Sequence, residues 1–237
     1  MNYTKRQAGQ STYEMAARRH KSRVWLLVAV LGVGIVVSLL IFNSKALGIS
    51  GLGIIALVVT ARLAMDYGDV REQKMYKEER RAVRGARGEE TIGSILESLG
   101  EGFLVIHDIE SPYGNIDHVV ISEKAGVFLI ETKSHSGRVS MKGGKLALNG
   151  RDPEKNFIAQ VLKNTYWLRD QIQRTMNVQP WITPVLVFTG AFVEPMRPIK
   201  GVTVVNKKFL PNVLRPPNAR QQNAMIWNNR DRIEQVL

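Results

Sequence analysis

Asp117, Glu131 and Lys133 are the residues whose types and spacing could do chemistry. Asp117 lies in Ile116-Asp117-His118-Val119-Val120-Ile121, and after a short turn Val127-Phe128-Leu129-Ile130-Glu131-Thr132-Lys133 carries the other two. Side chains of a strand alternate faces with period two, so Glu131 and Lys133 share one face while Thr132 takes the other. If Asp117 joins Glu131, two carboxylates about 5 Å apart repel by roughly 3 kcal/mol at an effective dielectric of about 20. They must then protonate, spread apart or bind a cation. A hard divalent ion, Mg²⁺ or Mn²⁺, suits such oxygen ligands, and the arrangement reads as a metal-dependent nuclease site. The other reading of the same residues is an ordinary solvated strand end.

The elements that must position these groups follow from hydrophobic pattern. Both segments are rich in Val, Ile, Leu and Phe at alternate and intervening positions, as in strands covered on both faces. In an antiparallel hairpin, Asp117 faces the side of Glu131 only if the residue numbers of opposed pairs sum to an even value. A three-residue loop, Lys124-Ala125-Gly126 with Gly126 in the left-handed position, predicts Glu123 opposite Val127 and Asp117 opposite Lys133. Upstream, Ile92, Ile95, Leu96 and Leu99 follow helical spacing and Gly100 ends the helix, which puts Glu89 in its first turn. An acid there can simply partner the helix dipole. The strand Phe103-Leu104-Val105-Ile106-His107 follows.

Together, Gly85-x-x-Gly88-Glu89, Gly114-Asn115-Ile116-Asp117-His118 and Gly126-Val127-Phe128-Leu129-Ile130-Glu131-Thr132-Lys133 resemble the nuclease-related domain (NERD). That family belongs to the PD-(D/E)XK, restriction-endonuclease-like nucleases, and the likeness covers roughly residues 85–189. The resemblance implies an α/β core, a mixed β-sheet flanked by helices. It also implies that the acid of the first helix is Glu89, with Glu90 as the adjacent alternative, that the metal-binding acid is Asp117, and that the E-x-K pair is Glu131 and Lys133. A glutamine from the helix after the sheet falls on Gln160, which could equally be a surface residue of that helix. Asp117, Glu131 and the Thr132 carbonyl would then hold Mg²⁺ or Mn²⁺, and Lys133 would orient the attacking water or neutralise charge on the phosphate. Phosphodiester hydrolysis is the implied reaction.

The front of the chain is different in kind. Val24 to Phe42 is uncharged and long enough to cross a hydrocarbon core about 30 Å thick. A second apolar run, Ala46 to Ala61, continues past Arg62 to Met65, so residues 24–42 and 46–65 read as a transmembrane helical hairpin. A cleaved signal peptide competes, but the run is too long and another follows at once. Glycines 32, 34, 48, 51 and 53 could pack helices and receive no function. Six Lys and Arg precede Val24, one (Lys45) lies in the loop and eight fall between Arg62 and Arg87. The bias predicts a multi-pass protein of the cell's inner (plasma) membrane with both termini, a basic tail at 1–23 and the domain in the cytoplasm. Residues 66–84, dense in both signs of charge, read as an exposed juxtamembrane helix or a flexible linker.

The charge balance confirms this division of labour. Of the net +12, only about a quarter resides beyond residue 87, so the basic character concerns topology more than nucleic acid. Lys142, Lys145, Arg151, Lys155 and Lys163 form either a local phosphate-binding stripe or scattered solvated charges. Zero cysteines exclude disulfides, thiolate zinc sites and cysteine nucleophiles. His20, His107, His118 and His135 lack metal-ligand spacing, and His118 is expected on the sheet face opposite Asp117. Trp25, Trp167, Trp181 and Trp227 read as interface or core residues. No phosphate-cradling glycine loop is present, and no organic cofactor is implied.

Beyond the hairpin, residues 137–140 and 145–148 bracket Lys142-Gly143-Gly144 as a second hairpin. A helix from Pro153 to Met176 buries Phe157, Val161, Leu168 and Ile172, strands follow at 184–189 and 202–205, and residues 221–237 close residues 85–237 as a terminal helix. The leading expectation is a membrane-anchored endonuclease acting on DNA or RNA. The rival is a non-catalytic membrane adaptor that uses the fold to bind nucleic acid or protein, and self-association through the anchor is a third possibility.

Overall fold

The structure, a computed structural model, describes residues 6–43, 45, 46, 48, 50–215 and 224–237. It divides into two compact units, Thr12–Val83 on the one hand and Met1–Ser11 with Arg84–Leu237 on the other. Helix α1 spans Gln10–Phe42 and helix α2 spans Gly51–Glu97; both are long and apolar enough, by length and composition, to cross a membrane.

Within the first unit the two helices run antiparallel. Arg23 pairs with Glu72 at 2.6 Å, His20 meets Glu79 at 2.9 Å, and Gly68 leaves room for Val30, whose methyl would lie 2.8 Å from an added Cβ. The apolar run expected to begin at Ala46 is helical from Gly51, and residues 44, 47 and 49 fall outside the described set. Trp25, Leu31, Ile35, Leu52 and Leu63 are all exposed.

The second unit is built on a six-stranded sheet. Its strands are β1 (Phe103–Ile109), β2 (Ile116–Ser122), β3 (Gly126–Lys142), β4 (Lys145–Leu148), β5 (Ile182–Val193) and β6 (Thr203–Asn206). The order is β1-β2-β3-β5-β6, with β4 paired to the far end of β3. Short turns make the β1–β2, β2–β3 and β3–β4 pairs antiparallel, whereas the crossover through α3 (Phe157–Met176) brings β5 parallel to β3. The sheet is therefore mixed and flanked by helices, as the resemblance implies.

Period-two alternation divides the strands between two cores. Val120, Phe128, Ile130, Val185 and Val187 face Ile92, Leu96 and Leu99 of α2 and its exit, together with Leu210 and Leu214 of α4 (Leu210–Leu214). Val119, Ile121, Val127, Leu129, Leu186 and Phe188 face Phe157, Val161, Leu168 and Ile172 of α3. These four residues are the expected buried stripe, and each contributes about 1.5–3 kcal/mol through removal from water. Ile226 of α5 (Ala224–Asn228) and Ile233 of α6 (Arg230–Val236) join this second core.

Four sequence expectations need correction. The β2–β3 register pairs Ser122 with Gly126 and His118 with Ile130, so the turn is Glu123-Lys124-Ala125 and Asp117 falls opposite Glu131, not Lys133. The sum stays even, so the expected face is kept; the Ser122 hydroxyl accepts from the Ala125 N–H and closes the turn one residue earlier, which moves the partner of Asp117 by two. Glu89 is not in a first helical turn, because α2 is already helical before it. Helix α3 starts at Phe157, where the Asn156 side chain caps the Ala159 N–H, and not at Pro153. The terminal helix is two short ones, α5 and α6, and residues 221–223 lie outside the described set.

Gly126 closes the turn at φ +91°, a conformation that costs a side chain about 1–2 kcal/mol. Gly126→Ala should therefore lower the thermal midpoint by several degrees while Gly126→Asn loses less, as scanning calorimetry of the two variants would register; equal loss would show that the turn is not set by this backbone conformation.

Candidate active site on two neighbouring strands

Strands β2 and β3 deliver Asp117 and Glu131 to one face by their register alone. Asp117 Oδ2 accepts from the Thr132 N–H at 2.5 Å, which ties the carboxylate to the neighbouring strand. Lys133 Nζ donates to Glu131 Oε1 and lies 5.0 Å from the centre of the Phe157 ring. Phe157 opens α3, so the face is the α3 face.

Burial makes the cluster electrostatically tense. Glu131 is only 2 % exposed, and its second oxygen, Oε2, is buried with no hydrogen-bond partner among the described residues. An ionised oxygen in that position loses its hydration without replacement. Desolvation, then Glu131 and then Glu89, push the Asp117 carboxyl well above the usual carboxylate range, against the smaller opposing effects of Lys133 and the Thr132 amide. Burial would lower Lys133, yet Glu131, Asp117 and Glu89 outweigh it and raise the ammonium.

Glu89 reaches this field from α2, which packs on the opposite face of the sheet. Glycine explains how. A Cβ at Gly88 would lie 3.3 Å from Ser134 Cβ and 3.4 Å from Thr189 Oγ1, so the bare backbone lets α2 approach the middle of β3 and β5, beside the bulge. Glu89 is half-buried and the alternative, Glu90, is exposed. Gln160 comes from α3 and lies against Gly114, where its Nε2 would be 3.9 Å from an added Cβ. Asp117, Glu131, Lys133 and Glu89 are thus within mutual electrostatic range, while Gln160 borders the loop that leads into β2. Thr132 Oγ1 points away, towards the α2 face, buried and unpartnered.

His118 lies on that same opposite face, as expected. It is fully buried, its Nδ1 is 2.8 Å from Nδ1 of His107, and burial first and His107 second hold its pKa well below the usual imidazole range. It does not reach the carboxylates' side.

Three features escaped the sequence. Strand β3 does not stop at Lys133 but continues to Lys142 through a bulge between Lys133 and Ser136, where β5 advances only from Phe188 to Gly190. A Cβ at Gly190 would lie 3.2 Å from the His135 carbonyl, so glycine accommodates the bulge. His135, carried by that bulge, places its ring 5.3 Å from Phe157. Phe157 was legible as a core residue, but its role as the wall beneath both Lys133 and His135 needed the fold. Tyr113, with Lys163 Nζ 5.9 Å from its ring, stands at the exposed rim beside Gly114.

The donor set, all oxygen, fits a hard cation such as Mg²⁺ or Mn²⁺ better than a softer ion that prefers nitrogen or sulfur ligands. The Asp117 and Glu131 carboxylates and the Thr132 carbonyl would offer oxygen alone, and Glu131 Oε2 is a buried acceptor lacking a donor among the described residues. Among the described residues no group of three or more His, Asp or Glu side chains is placed to hold a metal ion.

Comparison with known proteins gives one result. No curated protein and no solved structure matches the chain. A protein-family model, that of the nuclease-related domain (NERD), matches residues 84–189, the stretch that contains Glu89, Asp117, Glu131, Lys133 and Gln160. Over residues 84–189 this chain is a nuclease-related domain, carried on a mixed sheet flanked by helices and preceded by two long apolar helices.

Proposed function

We propose that the protein is a membrane-anchored, Mg²⁺- or Mn²⁺-dependent nuclease of the restriction-endonuclease-like type, hydrolysing phosphodiester bonds of DNA or RNA at the cytoplasmic face. The observation that carries the reading is the buried Glu131 carboxylate, bonded to Lys133 through one oxygen and left without a donor at the other, directly beside Asp117.

Asp117, Glu131 and the Thr132 carbonyl would hold the ion, which when bound supplies Lewis-acid neutralisation and an acidified water. Lys133, kept protonated by its carboxylate neighbours, donates towards a phosphate oxygen as negative charge grows there. Glu89 and Gln160 border the same place and orient the attacking water or the scissile phosphate. Lys163 and Tyr113 at the rim, with the exposed Lys142, Lys145, Arg151 and Lys155, supply backbone and base contacts for a nucleic acid strand. The membrane anchor is supported by apolar side chains of α1 and α2 that face outward and need an apolar solvent. The distribution of Lys and Arg supports cytoplasmic termini.

Glu131→Gln and Lys133→Met, both close in shape to the native side chains, should each cut divalent-dependent cleavage by about a hundredfold or more in the full chain, with the melting transition retained. Assay of single- and double-stranded DNA and RNA, with and without Mg²⁺ or Mn²⁺, names the substrate; undiminished cleavage by either variant would remove the assignment. Calorimetric titration that found no Mg²⁺ or Mn²⁺ uptake, even with nucleic acid present, would leave a binding scaffold in place of an enzyme.

Asp117→Asn tests the electrostatics separately. Because the folded state holds the Asp117 proton to higher pH than the unfolded chain does, the cation-free protein should lose stability as pH rises through that raised value. The variant should lack this slope and melt higher than wild type at neutral pH without cation, and saturating Mg²⁺ should close the gap. A cation-free wild type as stable as the variant across that range would show that the two carboxylates do not oppose each other.

A further inference from the structure

Residues 6–11, which lead into α1 and form its first turn, are packed against β1 and α2. Asp108, at the end of β1, is 4 % exposed and has φ +53°, a left-handed conformation for a residue with a side chain. Three donors converge on its carboxylate. The Ser11 N–H donates to Oδ2 at 2.9 Å, the Ser11 hydroxyl to Oδ1 at 2.7 Å, and Asn115 Nδ2 to Oδ1 at 2.9 Å. Arg6 stands 3.9 Å from the same carboxylate and bonds Glu110 at 2.6 Å.

Shape completes the fit. Gly9, at φ +77°, passes so close to α2 that a Cβ would lie 2.9 Å from the Ala86 carbonyl, and a Cβ at Gly93 would lie 2.6 Å from that of Ala8. Two glycines, one on each side of the contact, let the backbones meet.

The contact leads to the site. Asn115 is two residues before Asp117, in the loop between β1 and β2. The other side of that loop is held from α3 by the fully buried Asn164, whose Oδ1 lies 2.7 Å from the Ser111 hydroxyl and whose Nδ2 donates to the Gly114 carbonyl at 3.3 Å. Asp108 therefore supplies one of two clamps on the entry to β2, and residues 6–11 fix Asp108.

We propose that Asp108 is a positioning residue: the docked segment 6–11 orients its carboxylate, which through Asn115 sets the Asp117 end of β2, so that the ion site is complete only with this N-terminal segment seated. The consequence for the ion rests on the reading of Asp117 as a ligand given above; the docking and its link to β2 do not. Residues 85–237 alone then lack a part of the site.

The test uses the full chain in detergent. Gly9→Val should unseat the segment without touching any residue of the ion site. Hydrogen exchange should quicken both over residues 6–12 and over residues 113–119, and Mn²⁺ affinity by calorimetry should fall about tenfold, the weight of one charge-assisted hydrogen bond, while exchange in α3 stays at its wild-type rate. Asp108→Ala should reproduce the effect on 113–119 and on Mn²⁺, and Asp108→Asn, which keeps an oxygen for Asn115, should recover part of it; this pair decides the matter if Gly9→Val does not fold. Faster exchange over 6–12 with unchanged 113–119 and unchanged Mn²⁺ affinity would overturn the proposal. Coupled exchange in a wild type that takes up no Mn²⁺ would instead overturn Asp117 as a ligand and leave the positioning of β2 standing.

Discussion

Two carboxylates held opposite each other on a covered sheet face are the constraint around which the rest of this domain is arranged. Asp117 and Glu131 oppose because β2 and β3 pair in an even register, and with Glu131 buried and Asp117 half-buried little water screens them. One ammonium, Lys133, and one amide, that of Thr132, answer this charge in part. Glu89 adds a third acid to the same field. One buried oxygen, Glu131 Oε2, has no donor among the described residues, and a buried polar atom left so in a protein interior calls for an explanation.

Holding that arrangement depends on close backbone approaches more than on side-chain bonds. Gly126 permits the tight turn that sets the register, Gly88 brings α2 against the middle of β3 and β5, and Gly190 makes room for the bulge that follows Lys133. The glycines that accompany the acids in the sequence pattern thus have a physical reading: each marks a place where a Cβ would hold two elements apart or strain a turn. The bulge itself ends regular pairing immediately after the lysine and turns His135 towards Phe157.

Local pattern was enough to read much of this. Alternation in 116–121 and 127–133, and the stripe of Phe157, Val161, Leu168 and Ile172, determine which faces are buried, and the structure keeps all of them. The face shared by Asp117 and Glu131 was legible for the same reason, since parity survives a shift of two residues; the register itself was not, because Ser122 and not Glu123 closes the turn. The spacing of Ile92, Ile95, Leu96 and Leu99 suggested a helix with Glu89 in its first turn, yet the helix runs on unbroken through Gly85 and Gly88, and at Gly88 the close approach of strands β3 and β5 rewards a small residue despite its low propensity. Contacts far apart in the chain left no local trace. The Ser11–Asp108 pair spans 97 residues, and neither Phe157 beneath Lys133 nor Gln160 beside Gly114 follows from spacing.

The identity of the cation in the E-x-K pair limits what it can do. Desolvation works against the Lys133 ammonium, but three carboxylates outweigh it, and the ring of Phe157 at 5.0 Å favours a positive charge as well. A lysine destined to accept a proton needs surroundings that lower its pKa, such as an apolar pocket or a second cation. Lys133 has the reverse. Its place suits it to hold Glu131 and to meet negative charge, and in the proposed hydrolysis a proton leaving the attacking water would go elsewhere, to solvent or to an acid such as Glu89. The same surroundings explain why the site needs Asp117 so close: the second carboxylate that makes the pair repulsive also keeps the lysine charged.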